Sequence, residues 1–203
     1  MRFAVIPTAM MLTALTACST SSLQTKPATT ETQSAWHQHK TQLTELTHWK
    51  INGRFGAKND KDAWSGNIKW LQNNQKYEIN LSGPLSSGSV ALSGDEEFST
   101  LQVAEDQFYG AENAEQLLET HTGIRLPMSN LKYWILGLPS PSDDKQVLEL
   151  DAQGRLSKLS QLGWEISFRH YAVVNNYVLP DKIFLENHEF DVRLIIHNWQ
   201  ILS

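Results

Sequence analysis

The feature that most limits the fold of this chain is an alternation of apolar and polar residues with a period of two. It begins near Trp49 and recurs in short segments along the rest of the sequence. Alternation of this kind is typical of antiparallel strands that have one face covered and one face in water. The clearest apolar sets are Trp64, Ile68 and Trp70; Tyr77, Ile79 and Leu81; and Trp164, Ile166 and Phe168.

The spacing of these segments predicts about ten or eleven strands in a barrel or a sandwich. Turns are predicted at 72–75, 94–95, 151–154 and 179–181, where Asn, Asp, Gly or Pro interrupts the pattern. The last strand, residues 191–201, is apolar at both parities. We therefore expect both faces of that strand to be covered.

Two segments follow a helical period instead. Trp36, Leu43 and Leu46 are spaced for one helix, and residues 113–116 resemble a capping box that opens a second. Gly123 is a plausible carboxyl-terminal stop for that second helix, because glycine readily adopts the left-handed conformation found there.

A third helix is predicted after Ser129, which we expect to act as its amino-terminal cap. Its apolar residues fall at i, i+3, i+4 and i+7, and glycine and proline then end it. These residues are Leu131, Trp134, Ile135 and Leu138, followed by Gly137 and Pro139. A helical pair in the middle of a sheet suggests a half-closed barrel with a plug or lid. Helices that cover one face of a sandwich fit the same pattern.

The amino terminus has the anatomy of a bacterial lipoprotein signal. Arg2 precedes a short hydrophobic stretch, and Ala17 stands before Cys18, the one cysteine of the 203-residue chain. The stretch is too short for a permanent membrane-spanning helix. We predict that residues 1–17 are a signal peptide, cleaved between Ala17 and Cys18, and that Cys18 is then acylated. The alternative, an ordinary secretory signal with an incidental cysteine, leaves the unpaired thiol unexplained.

The residues after the cleavage site predict where the protein resides and how it is divided. In Gram-negative bacteria, Asp after the acylated cysteine usually retains a lipoprotein at the inner membrane, so Ser19 favours the periplasmic side of the outer membrane. Residues 18–34 are polar and are expected to form a flexible tether. Residues 35–203 have the length and apolar content of a single domain.

Composition and motifs exclude several classes of function. The net charge is −5, and losing the signal peptide makes it one unit more negative because Arg2 is the only charge there. Such a chain is a poor candidate for binding nucleic acid. The sequence has no nucleophile elbow and no phosphate-binding glycine loop, and its seven histidines are scattered. We predict no catalytic residue, no metal, no cofactor and no enzymatic activity.

Two features leave alternatives open. Residues 82–89 are small or polar except for Leu85, which follows Pro84. A leucine in such a loop usually folds back onto its hairpin, and the alternative is an apolar tip held out in solvent. The seven tryptophans fill a core, or some of them line an apolar cavity.

One long motif carries a resemblance to a known family. Residues 127–139 read Pro-Met-Ser-Asn-Leu-Lys-Tyr-Trp-Ile-Leu-Gly-Leu-Pro. They resemble the Pro-x-x-x-Leu-x-x-Trp-Ile-Leu-Gly-Leu-Pro motif of the outer-membrane lipoprotein receptors, the LolB family. The lipoprotein signal, the early helix and the Asn198-Trp199 pair also fit, so the resemblance covers nearly the whole chain.

The resemblance implies an incomplete antiparallel barrel of about eleven strands, with helices covering a hydrophobic cavity. It implies a monomer that accepts triacylated lipoproteins from a LolA-type periplasmic carrier and inserts them into the outer membrane without nucleotide hydrolysis. The alternative is a lipid-anchored binding or scaffold protein for a hydrophobic small molecule.

The resemblance also suggests which residues carry these roles. Its protruding loop corresponds here to Pro84, Leu85 and Ser86, with Leu85 exposed for contact with membrane lipids. Residues of the predicted strands and of the third helix are candidates for the cavity wall or the lid. These are Ile68, Trp70, Ile79, Leu81, Leu131, Trp134 and Ile135.

Overall fold

The computed structural model describes residues 29–83, 89–103, 107–142 and 146–202. In these ranges it has three helices, α1 (Thr30–Thr44), α2 (Ala114–Thr122) and α3 (Met128–Trp134). The strands are β1 (His48–Lys58), β2 (Ala63–Asn73), β3 (Lys76–Ser82), β4 (Val90–Gly94), β5 (Ser99–Val103), β6 (Gln107–Ala111), β7 (Val147–Leu150), β8 (Leu156–Gln161), β9 (Trp164–Val174), β10 (Tyr177–Glu186) and β11 (Asp191–Ile201). No helix in the described ranges is both long and apolar enough to cross a membrane.

The eleven described strands form a single antiparallel sheet. Its order is β6-β5-β4-β3-β2-β1-β11-β10-β9-β8-β7, so each strand lies beside its neighbour in sequence except at the β1–β11 pair. The sheet is open, with β6 and β7 at its two edges, and α2 and α3 lie in the connection between those edges. The predicted mainly β fold, an incomplete barrel with helices over a cavity, is confirmed.

The period-two pattern sets which face of each strand is buried. In β9, Trp164, Ile166 and Phe168 are buried, while Glu165 is exposed. The same alternation holds in β2 and β3. These inner-face side chains form one hydrophobic core, to which the helices add apolar residues.

The last strand has one covered face, so the prediction for residues 191–201 is wrong. Asn52 pairs with Asn198 and Gly53 pairs with Ile196, which leaves His197 as an extra residue in a β-bulge. A bulge shifts the side-chain parity by one residue. Ile196 and Trp199 therefore both reach the inner face, which is why the strand is apolar at both parities.

The turn predicted at 179–181 is also wrong, because these residues lie inside β10. The connection from β9 is made earlier, at Asn175, whose φ of 53° fits a tight turn. The register between β9 and β10 shifts at Asp181, directly after Pro180. Proline lacks an N–H for the ladder, and a strand tolerates it at such an irregularity.

The predicted ends of α2 are confirmed. The Asn113 side chain accepts hydrogen bonds from the backbone N–H groups of Glu115 and Gln116, at 2.9 and 3.0 Å. Gly123 ends the helix in the left-handed conformation, with a φ of 73°.

The other two helices differ from prediction at their ends. α1 begins at Thr30, so its first five residues lie inside the segment predicted as tether, and the folded part starts before residue 35. Ser129 is not the cap of α3: Pro127 precedes the helix, and Ser129 lies in its first turn. The Ser129 hydroxyl instead donates to the Glu115 side chain at 2.9 Å.

Candidate functional site

An apolar cavity lies between the inner face of the sheet and the α2–α3 connection. Strands from both halves of the sheet form its floor, and α2, α3 and the residues between them cover it. The floor comprises Phe55, Ala57, Ile68, Trp70, Ile79, Leu81, Val90, Leu92, Leu185, Val192, Arg193 and Leu194, and the cover comprises Leu118, Ile124, Leu126, Met128 and Leu131.

The cavity suits aliphatic groups and little else. Its empty space is about 700 Å³, part of it open to solvent, and its lining is almost entirely apolar. The enclosed part of this space is small, so a long acyl chain fits into it only in part.

The structure brings five of the seven candidate residues together. Ile68, Trp70, Ile79, Leu81 and Leu131 lie on the cavity wall. The first four come from neighbouring strands β2 and β3, where Ile68 pairs with Leu81 and Trp70 pairs with Ile79. Leu131 faces them from α3.

Trp134 and Ile135 do not line this cavity. Both are fully buried at the end of α3. The Trp134 indole N–H donates to the Gln161 side chain at 2.9 Å, which directs the ring toward β8. The ring also packs near Trp164, with 6.4 Å between centroids. The sequence spacing places Trp134 and Ile135 on the same helical face as Leu131. However, α3 ends at Trp134, and the chain changes direction there.

Sequence reasoning missed the residues that complete the wall. Val90, Leu92 and Leu194 share the inner-face parity of their strands, so the alternation was a usable signal for them. Ile124 and Leu126 lie in the connection between α2 and α3, which has no periodicity. Only the tertiary fold places them over the sheet.

Tryptophan rings close one end of the cavity. Trp70 lies on the wall, and Trp49 packs behind it with 5.3 Å between ring centroids. Trp199 follows at 5.4 Å from Trp49. The Trp70 indole N–H donates to the buried side chain of Gln72 at 2.9 Å. A polar partner of this kind lets an indole stay buried, so this end of the wall is held in place.

The site has no arrangement that suggests metal or acid–base chemistry. In the part of the chain that the structure describes, no group of three His, Cys, Asp or Glu side chains is placed to hold a metal ion. The buried polar side chains near the cavity are amides and hydroxyls. Asn130 and Ser140, for example, share a hydrogen bond of 2.6 Å.

Ala17, Cys18 and the loop residues Pro84, Leu85 and Ser86 lie outside the described residues. The strands on either side of the loop are described. Leu81 near the end of β3 and Val90 at the start of β4 both line the cavity. The loop therefore connects two strands of the cavity wall.

Comparisons with known proteins agree with this geometry. A family model described as "Outer membrane lipoprotein LolB" matches residues 47–199. The chain belongs to the LolB family. A LolB from Pseudomonas aeruginosa, named outer-membrane lipoprotein LolB, is 46% identical over 165 residues, which cover 81% of this chain and 80% of the relative. A LolB from Pseudomonas syringae is 41% identical over the same shares of both chains.

Solved structures show the same fold as this LolB family member at low sequence identity. A LolA superfamily protein from Nitrosomonas europaea has a TM-score of 0.52 and 11% identity, over 86% of this chain and 95% of that one. A DUF1329 family protein from Desulfovibrio piger has a TM-score of 0.57 and 7% identity, over 86% and 96%.

Membership in the LolB family confirms the resemblance and the expected location. The protein is a lipid-anchored outer-membrane protein of a Gram-negative bacterium. Cleavage before Cys18 and its acylation stay predictions, as do the roles of the individual cavity and loop residues.

Proposed function

We propose that the protein receives triacylated lipoproteins from a LolA-type periplasmic carrier and inserts them into the outer membrane. The observation that carries this proposal is the apolar cavity between the sheet and the α2–α3 connection. The protein acts as a monomer, uses no nucleotide, and moves its cargo by differences in affinity instead of by catalysis. The names of its LolB relatives support the same role.

The free energy of acyl-chain hydration makes such a receptor necessary. Burying one methylene group is worth about 0.8 kcal/mol, so exposing three long acyl chains to water costs on the order of 30 kcal/mol. A lipoprotein cannot cross the periplasm with its chains uncovered. A cavity lined with apolar side chains lowers this cost during the last step.

The size of the cavity limits how cargo is held. The enclosed space is small beside three acyl chains, so the chains are shielded only in part, or the cover formed by α2 and α3 moves away from the sheet on loading. Partial shielding favours release, because the membrane then offers the chains a better environment than the receptor does.

Filling the cavity from its wall tests the proposal. Ala57 is buried and lines the cavity, so Ala57→Leu and Ala57→Phe reduce the space without removing a contact. We expect uptake of a labelled triacylated lipoprotein from its carrier, without membranes, to fall in the order Ala, Leu, Phe, by tenfold or more for Phe. Ala63→Phe is the matched control, because Ala63 is exposed at the start of β2.

Uptake that is unchanged in Ala57→Phe, with the fold intact by circular dichroism, contradicts an acyl-binding role for this cavity. Binding of a hydrophobic small molecule without any uptake of acylated cargo favours the alternative, a lipid-anchored binding protein. Loss of uptake in Ala63→Phe as well shows a general effect on folding, and the smaller Ala57→Leu variant then decides the question.

A further inference from the structure

Exposed cations form a line across the outer face of the sheet. Five adjacent strands, β2, β1, β11, β10 and β9, each contribute one. We call these residues the basic strip: Lys69, Arg54, Arg193, Lys182 and Arg169, all exposed. Neighbouring strands lie about 4.8 Å apart, so the strip crosses roughly 20 Å of the surface.

Strand register and aromatic contacts hold the strip together. Ile195 of β11 pairs with Arg54 on one side and with Lys182 on the other. The half-buried ring of Phe184 lies between two guanidinium groups, 5.8 Å from that of Arg169 and 5.6 Å from that of Arg193. Stacking on an aromatic ring leaves the guanidinium N–H groups free to bind other partners.

None of the five cations has an ion-pair partner among the residues that the structure describes. Most carboxylates near the strip are engaged elsewhere. Asp181 binds His170 at 2.7 Å, Asp191 binds Lys58 at 2.7 Å, and Glu165 accepts a hydrogen bond from Ser160. Glu186 lies between Asp191 and Glu165, in the row that borders the strip on one side.

Acidic residues gather on another part of the molecule. Glu112, Glu115 and Glu119 lie at α2, and the β4–β5 turn carries Asp95 and residues 96–97, both glutamates. The chain is acidic overall, with a net charge of −5. Arg125 pairs with Glu119 and Lys132 pairs with Glu96, so part of this acidic charge is neutralised. The five unpaired cations of the strip are the part of the described surface that we expect an anionic surface to attract.

We propose that the basic strip binds the headgroups of anionic phospholipids in the leaflet that carries the lipid anchor. This inference uses the outer-membrane location and does not depend on acyl transfer. Thr29 lies eleven positions after Cys18, so the start of the folded domain stays within about 40 Å of the acylated cysteine. Each Lys or Arg near an anionic surface contributes about 1 kcal/mol, so the five cations bind weakly on their own, and the tether strengthens this binding by keeping the surface close.

A lipid surface suits the strip better than a folded partner does. The five cations extend across a continuous sheet face, and many equivalent headgroups can meet them in any order. Bound in this way, the domain holds α2 and α3 away from the leaflet, where a soluble carrier can reach the cavity cover.

Vesicle sedimentation tests the proposal with the mature chain carrying Cys18→Ala, so that no anchor contributes. We expect binding to vesicles of phosphatidylethanolamine with phosphatidylglycerol, no binding to vesicles without the anionic lipid, and weakening by salt. Arg54→Gln with Lys182→Gln removes two cations that do not touch Phe184. The partition coefficient should fall roughly 30-fold, which corresponds to about 2 kcal/mol.

Lys61→Gln with Lys76→Gln is the matched control, because both lysines are exposed outside the strip, Lys61 between β1 and β2 and Lys76 at the start of β3. Equal weakening by the two pairs, binding to vesicles without anionic lipid, or binding to an acidic protein without vesicle binding overturns the proposal. Cargo uptake without membranes is measured on the same variants. If the strip variant shows normal cargo uptake and normal vesicle binding, the proposed role of the basic strip is refuted. The proposed function is not affected by that result.

A second measurement reads the orientation of the acylated protein in vesicles. Because Cys18 is blocked by its lipid, Asn67→Cys beside the strip and Gln116→Cys on α2 each accept one spin label. We expect headgroup-bound nickel to relax the label at position 67 and not the label at 116. Equal relaxation at both positions contradicts an oriented domain.

Discussion

Three buried tryptophans are each fixed by one hydrogen bond from the indole N–H. Trp70 donates to Gln72, Trp134 to Gln161, and Trp199 to the carbonyl of Pro180 at 3.0 Å. A buried N–H without a partner costs about 1–3 kcal/mol. These bonds let large rings fill the core in one orientation, and the bond of Trp70 fixes the one of the three rings that lines the cavity.

Leu85 is the residue whose side chain we expect to act on the membrane. Its loop joins β3 and β4, which both contribute to the cavity wall. Leu85→Glu places a charge where contact with lipid is needed, so cargo is still accepted from the carrier while its release into liposomes falls by tenfold or more. The measurement is the transfer of a labelled lipoprotein, with uptake and release scored separately.

Leu162→Glu is the control for this substitution, because Leu162 is 43% exposed in the β8–β9 turn and has no assigned role. Release at the normal rate from Leu85→Glu removes Leu85 from the mechanism. An equal defect in both variants points to surface charge in general and not to the loop.

His39 predicts how stability depends on pH. The Nε2 atom of His39 is buried and has no hydrogen-bond partner among the described residues, and its ring lies near those of Trp36 and Tyr171. Burial, and next the nearby charge of Arg155, lower the pKa of His39 below its usual value, against a smaller opposing effect of Asp151. The folded protein therefore disfavours the imidazolium.

Below about pH 6.5 the unfolded chain binds a proton at position 39 that the folded protein does not, so the free energy of unfolding falls as the pH falls. Above that pH, the free energy of unfolding does not depend on His39. Denaturant unfolding at pH 7.5 and 5.5 should show a smaller loss for His39→Phe than for the unsubstituted protein. If His37→Phe, a change at an exposed position of α1, gives the same reduction, the effect does not belong to His39.

The docking of α1 depends on one glycine in the β7–β8 turn. Gly154 has a φ of 74°, and a side-chain carbon added there would meet the Thr32 carbonyl at 2.7 Å and the Trp36 backbone nitrogen at 2.9 Å. The helix backbone thus approaches the turn more closely than any other residue type allows. Packing of Trp36 into the core follows from this approach.

Gly154→Ala is expected to lower the free energy of unfolding by about 2–4 kcal/mol, since it adds a backbone clash to the strain of a positive φ. Gly163→Ala separates the two effects. Gly163 has a φ of 77° but nothing within 4 Å of the added carbon, so the strain alone, about 1 kcal/mol, is expected. Equal losses in denaturant unfolding would show that α1 does not press on the turn.

At the scale of the whole molecule, the sequence predicts the sheet well because alternation reports a local property. Trp164, Ile166 and Phe168 are buried because every second residue of a strand faces the core. The irregularities escape such reasoning. The extra residue His197 and the register shift after Pro180 depend on how each strand pairs with its neighbour. The residue pattern within one strand does not show that pairing.

The residues that line the cavity could be predicted where they follow the alternation of apolar and polar residues in the strands. Ile68, Ile79 and Leu81 follow from alternation, but Trp134 has the same helical spacing as Leu131 and still faces another part of the core. Helical spacing predicts the side of the helix on which a residue lies. The packing of α3 against β8 decides which part of the core that side contacts.

The pairing of β1 with β11 has a consequence for how the chain acquires its structure. All other pairs among the described strands join neighbours in sequence, so β1–β6 and β7–β11 can each form from local contacts, whereas β1 and β11 lie more than 130 residues apart. Strands so far apart in sequence pair late in folding, because the chain loses conformational entropy before the contacts between the strands can stabilise it. A polypeptide that enters the periplasm amino end first therefore completes its sheet only after its final strand has been translocated.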